Sequence, residues 1–356
     1  MSRLQELEKK KEEEKSIKTG DYHAIDRFSY SRLVVFEKNI WDFYKQFIEK
    51  DQEYIAKKTE DKEESWFIKM GDLIDCLRTN NSNYNKLFYE SREVPEPAPQ
   101  MLKFCRILYK HKDLPFKTAF EVAYEDLKEW NGGKLGTTFE KYIEKFEKEG
   151  QTYYDELCLS EGKTVITKDD LSKVEQVLNL IEQYSLFKDF GTTINKQIIF
   201  FELDELPFKA EIDKINIDHK NKIIYPYDYK TFYNPEEFVS LRFVKNYYYI
   251  QASLYKYAIE TWAQEKYHGY KVENMTFRVI DPNGAHIPLE YKTTDKHYEQ
   301  GFLGFYYKGK RYPGITEIVD NIKYAMQNDI WKTLPYFHKN NYKVFIPEFK
   351  DITDGE

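Results

Sequence analysis

The strongest constraint on this 356-residue chain is a pair of strand-like runs, Phe208 to Asp218 and Ile223 to Lys230, separated by His219-Lys220-Asn221-Lys222. Both runs are rich in β-branched and aromatic residues, and polar turn residues separate them. A two-residue loop at Lys220-Asn221 gives a hairpin in which opposite residues have numbers summing to 441. Asp213 then faces Asp228, with Cβ atoms about 4.5–5.5 Å apart. Lys230 lies two residues beyond Asp228 and emerges on the same face. Pro226 complicates the register. With a loop of that length residue 226 donates to residue 215, and proline has no N–H. A bulge or an edge position is therefore expected near Pro226, and a bulge would shift the pairing by one residue.

Two carboxylates at that separation, with an ammonium beside them, suit a shared divalent cation. Mg²⁺ takes hard oxygen ligands and usually keeps several waters, with one or two protein carboxylates. The backbone carbonyl of Tyr229 is a further candidate ligand. A metal-bound water of lowered pKa next to Lys230 is the equipment for cutting phosphodiesters. The same three residues also make an ordinary salt-bridged hairpin surface, and Asp-x-Lys alone does not separate the two readings. A long helix is predicted over about 236–266. On it Tyr247, Gln251 and Tyr255 are four apart and form one stripe, flanked by Arg242, Lys245 and Lys256. A glutamine among aromatics can bond a phosphate or a base edge. A buried core face with a hydrogen-bonded glutamine has the same appearance.

Apolar residues make up 41% and aromatics 17% of the chain, enough to fill a sizeable core. The formal net charge of -7 argues mildly against a nucleic-acid binder, although a local basic surface is all a nuclease needs. Cys76, Cys105 and Cys158 are far apart, which excludes a disulfide framework and an iron–sulphur cluster and fits a reducing, cytoplasmic compartment. The charged N-terminus carries no signal-peptide pattern, and no apolar run approaches the roughly 18 residues of a membrane span. The histidines form no HExxH, and no phosphate-cradling GxxxxGK[ST] loop is present.

The expected fold class is α+β: a small mixed sheet flanked by helices, with a mainly helical N-terminal half. Residues 1–19 read as a charged arm, and 20–350 as one domain. Its helical part spans about 28–190, its sheet core about 194–295 and its C-terminal helical closure about 300–350. Ser29-Tyr-Ser31 is a serine N-cap for an amphipathic helix running to Ile48. A charged loop (Lys57 to Glu64) leads to a more buried helix from Trp66. Helices follow at about 100–112, 115–129, 137–150 and 168–187, with Asp169-Asp170 at a helix start. Strands are predicted at 194–202, 275–281 and 287–291 besides the hairpin, and a final helix at 315–326. Lys103, Arg106, Lys110, Lys112 and Lys117 form a basic helix face, read as solvated.

Ala210-Glu-Ile-Asp213, Asp228-Tyr-Lys230-Thr and Gln251-Ala-Ser-Leu-Tyr255 resemble, in order and spacing, motifs of the PD-(D/E)XK nuclease superfamily, and in particular its RecB-type and phage recombination exonuclease branch. Phe28-Ser-Tyr-Ser31-Arg-Leu, Gly71-Asp-Leu-Ile-Asp75 and Gly162-Lys-Thr-Val-Ile-Thr167 resemble upstream segments of that branch, so the resemblance covers about 28–260. It implies a restriction-endonuclease-like core and a DNA nuclease dependent on Mg²⁺ or Mn²⁺, with Asp213 and Asp228 as ligands and Lys230 as the catalytic lysine. Gln251 and Tyr255 would contact DNA. Asp75 stands where many relatives have histidine and would be a further ligand, or else a helix-surface aspartate. An exonuclease acting on linear duplex DNA for recombination is the implied role, leaving a 5′-phosphate. A non-catalytic DNA-binding module on the same fold and an endonuclease are the alternatives. A strand-annealing or single-strand-binding partner and a homo-oligomer are implied by the family alone.

Overall fold

The structure, a computed structural model, describes residues 22, 25–61, 66–79, 84–91 and 94–342. The expected arm at 1–19, residues 62–64 of the charged loop and the end of the C-terminal closure lie outside the described residues. The described chain falls into two compact units. One comprises residues up to 61, 185–280 and 288–342; the other comprises 66–184 and 281–287.

The strands, in chain order, are β1 (Phe88–Glu90), β2 (Thr164–Ile166), β3 (Thr192–Leu203), β4 (Leu206–Asp218), β5 (Ile223–Thr231), β6 (Lys271–Val272), β7 (Thr276–Ile280), β8 (Leu289–Lys292), β9 (Phe305–Tyr307) and β10 (Lys310–Tyr312). The helical unit holds the short parallel pair β1–β2. Its core joins Phe104, Phe120, Tyr142 and Phe146 with Leu108 and Leu127. One helix there, Gln151–Ser160, was not expected. It starts at Gly150, where a Cβ would come within 2.7 Å of Met101 Sδ. Glycine here permits close packing rather than ending the helical region. Thr167 and Asp170 form a reciprocal capping box that starts the helix Lys168–Gln183, as the acidic pair predicted.

The other unit is built on a mixed six-stranded sheet of order β3-β4-β5-β7-β8, with β6 also beside β5. β3, β4 and β5 are antiparallel neighbours, β5 runs parallel to β6 and β7, and β7 pairs antiparallel with β8. A helix, Tyr248–Lys266, crosses between the parallel strands β5 and β7. The expected helix from 236 is broken up. Pro235–Glu237 and Val239–Phe243 are short turns, and the α-helix begins only after Tyr247, whose φ of +60° is incompatible with continuation. Residues all around this helix are buried, including Ile250, Leu254, Ala258 and Ile259. The helix Asp295–Leu303 crosses it at Gly301, where a Cβ would sit 1.8 Å from Ser253 Oγ. Near the N-terminus, the expected single helix is two. Asn39 is extended and accepts from the amides of Trp41 and Asp42, so Tyr30–Lys38 ends and Ile40–Phe43 starts there. Ser29 occupies the N-cap position of the first helix, but its hydroxyl pairs with Ser31 Oγ at 2.9 Å instead of capping the backbone.

The hairpin register holds. Every β4–β5 pair, from Lys214↔Tyr227 to Asp218↔Ile223, sums to 441. The loop, however, has four residues, 219–222. Asp218 Oδ1 accepts from the amides of Lys220 and Asn221, and Lys222 is left-handed at φ +54°. That changes the bonding phase. Ile224 O accepts from Glu273 N, so even-numbered residues of β5 turn their polar groups toward β6 and β7. Pro226 falls where β6 has ended at Ile224 and β7 has not begun at Tyr227. The missing N–H therefore costs no ladder bond, and no bulge forms: the expected bulge or edge position is absent because Pro226 sits at a seam in a central strand.

Candidate active site

Below Lys214 the two strands of the hairpin part. Ile215 and Ile217 pack into the main core, and so do Phe208, Ala210 and Ile212. These sets have opposite parity, so β4 turns its apolar face over between them. β3 does the same between Ile194 and Ile199. The reversal falls at Lys196 and Asp213, which lie opposite each other between Asn195↔Lys214 and Gln197↔Ile212. Lys196 has φ +52°. From here on the segment at Phe28 takes the place of β5 beside β4: Phe28 N donates to Pro207 O, and Lys209 N to Phe28 O.

Asp213 occupies the fork. Its Oδ2 accepts from Tyr229 N at 2.8 Å, the amide that would otherwise extend the β4–β5 ladder. The carbonyl of Tyr229 lies on the same edge of the strand as its N–H, on the side of β4. Asp213 Oδ1 accepts from Lys196 Nζ at 2.7 Å. Asp228 is the next residue opposite Asp213 in the 441 register and is only 3% exposed. Gln251 Nε2 donates to its Oδ1 at 2.8 Å. Lys230 Nζ forms an ion pair with Oδ2 at 2.5 Å. The ammonium of Lys230 lies 4.9 Å from the ring centre of Tyr248 and 5.9 Å from that of Phe277.

Burial pushes the Asp228 carboxyl up to about 6; Lys230 opposes this, and the neighbouring Asp213 charge adds to it. Burial pushes Lys230 down, but the charges of Asp228, Tyr248 and Asp213 outweigh it and hold the ammonium above the usual lysine value. The two directions agree physically. The lysine stays charged, and burial makes the Asp228 carboxyl resist ionising. Tyr255, also buried, has its hydroxyl pushed well above its ordinary value by desolvation and by the charges of Tyr22 and Asp228.

The structure thus brings Asp213, Asp228, Tyr229, Lys230, Gln251 and Tyr255 together in one unit. Gln251 is buried beneath Asp228, the second of the two positions that its stripe allowed. Asp75 lies on the helix Trp66–Thr79 of the other unit, half-buried. Lys196 escaped the sequence reading. Its signal was the β3–β4 turn, Asp204-Glu205, with φ +50° and +65°. Read as a two-residue loop, that turn sets a register in which Lys196 faces Asp213. Asp-Glu is an unusual pair for such a turn, and Lys323 stabilises it through ion pairs to Asp204 at 3.0 Å and Glu205 at 3.3 Å. No helix among the described residues is long and apolar enough to cross a membrane.

No family model matches the chain, and no curated protein matches it. Among solved structures it is similar to the crystal structure of a "putative exonuclease" from Eubacterium rectale, with a TM-score of 0.31 and 13% sequence identity, covering 74% of this chain and 82% of that one. A likeness of that size carries no argument about the site, so the functional reading rests on the residues.

Proposed function

We propose that this chain is a metal-dependent deoxyribonuclease of the PD-(D/E)XK type that degrades linear duplex DNA from its ends. The observation that carries the reading is the fork between β4 and β5. There Asp213 takes the Tyr229 amide, Lys230 pairs with Asp228, and Gln251 donates to the buried Asp228 carboxylate.

The residues fit a hard divalent cation. Asp213 and Asp228 would hold it, with the Tyr229 carbonyl edge beside them. Among the described residues no group of three or more His, Cys, Asp or Glu side chains is arranged to hold a metal ion, so these two carboxylates would need other oxygen ligands. Two carboxylates with water completing the shell are a usual protein contribution to Mg²⁺ binding. The upward push on Asp228 supports the same reading, because a buried carboxylate whose charge is disfavoured by desolvation is relieved by a nearby cation. Bound there, Mg²⁺ or Mn²⁺ supplies a water of lowered pKa and neutralises charge on the phosphate. Lys230 would donate to a phosphoryl oxygen as negative charge develops. Gln251 keeps the Asp228 carboxylate from rotating. The 5′-phosphate product follows the family resemblance.

The test is digestion of end-labelled linear duplex with Mg²⁺ or Mn²⁺, beside Lys230→Ala and a chelator control. Cleavage that both interventions stop is the expected result. DNA binding without cleavage in either metal would leave a non-catalytic module. Equal attack on covalently closed circles would make the enzyme an endonuclease.

A further inference from the structure

The proposed reaction makes no use of Lys196. This residue lies on β3, at the edge of the sheet, across from Asp213. It holds a left-handed backbone that residues bearing a Cβ rarely adopt inside a strand. Its ammonium is 2.7 Å from Asp213 Oδ1, with the two side chains 29% and 17% exposed.

All four carboxylate oxygens at the fork already have a partner. Asp213 is held by Lys196 and the Tyr229 amide, and Asp228 by Lys230 and Gln251. Two negative charges therefore face two positive ones. A divalent cation reaching both carboxylates brings two more positive charges within a few ångströms of both lysines, and like charges at that range repel strongly away from bulk water. One lysine must withdraw. Lys230 is boxed in by the rings of Tyr248 and Phe277, whereas Lys196 projects from an edge strand.

We infer that Lys196 is a built-in counter-cation: it neutralises Asp213 while no ion is bound, leaves that oxygen when a divalent cation enters, and so sets the cation affinity of the site. The inference rests on the metal site of the proposed nuclease. It makes Lys196 a positioning residue that competes with the metal for the same ligand.

Titration of the DNA-free protein with Mn²⁺, following free ion by electron paramagnetic resonance, tests this. Lys196→Met keeps the stem and removes the charge; Lys196→Asn also removes it and suits the left-handed backbone. Both are expected to bind Mn²⁺ about tenfold more tightly than the wild type, and Lys196→Arg no more tightly. In chelator the two neutral variants should melt below the wild type, because the interacting charges of Asp213 and Asp228 then have one counter-charge fewer. Mn²⁺ should close that gap, which it would not do if Lys196 only supported the strand. Unchanged or weaker Mn²⁺ binding by both neutral variants, with Asp228→Asn impaired, would overturn the role of Lys196 and leave the metal site standing. Absence of Mn²⁺ binding by the wild type, or undiminished binding by Asp228→Asn, would overturn both.

Discussion

Asp170 in the helical unit and Asp228 in the sheet unit are equally buried, at 3% exposure, and each sits beside a lysine. Their environments act in opposite directions. Asp170 accepts from Trp66 Nε1 at 2.9 Å, from Lys69 Nζ at 2.8 Å and from Thr167 N at 2.9 Å. Burial pushes its carboxyl up, but Lys69, the Thr167 amide and Trp66 together hold it below the ordinary value. Asp228 has fewer donors and a second carboxylate nearby, and it is pushed up. Burial and a lysine neighbour thus do not distinguish a fastening from a reactive group. What distinguishes them is whether the donors suffice to hold the charge without help from outside the chain.

Four measurements bear on this contrast. Asp228→Ala or Lys230→Ala should lower the cleavage rate by at least about a thousandfold, while Asp170→Ala leaves cleavage per folded molecule unchanged. Equal losses at both aspartates, measured on end-labelled duplex, would erase the distinction. Asp170→Ala should instead cost about 3 kcal/mol of folding stability, because it strands the largely buried Lys69; denaturant unfolding measures this. Third, protons should compete with the cation at Asp228. Mn²⁺ affinity should fall as pH drops through about 6, by up to about tenfold per pH unit. Asp170 has a depressed value, so its stabilising contribution is present above the unfolded-state value near 4 and is lost only as pH falls through its lower folded value. The smallest expected effect is that of Gln251→Leu. It removes one hydrogen bond to Asp228 and should slow turnover by about tenfold with little change in KM.

Much of this was legible in the sequence. The β4–β5 register followed from turn residues and period-2 alternation, and it survived an error in loop length because a two-residue and a four-residue loop centred on the same point share a register. The bonding phase did not survive. Phase depends on which residue closes the loop, and the side chain of Asp218 decided that. Pro226 was misread for the same reason. The face reversal at Lys196 and Asp213 breaks the period on which strand reading depends, so Lys196 was invisible to it. Helix ends failed where one residue adopts an unexpected conformation, as at Asn39 and Tyr247.

Asp213 is a wedge as well as a candidate ligand: by seizing the amide of Tyr229 it stops two strands from zipping shut. Trimming that side chain would free the Tyr229 amide to extend the β4–β5 ladder past Lys214↔Tyr227. An Asp213 variant would therefore mix the loss of a carboxylate with a change in the strand fork. Asp228, whose carboxylate is held by the side chains of Gln251 and Lys230, separates the two.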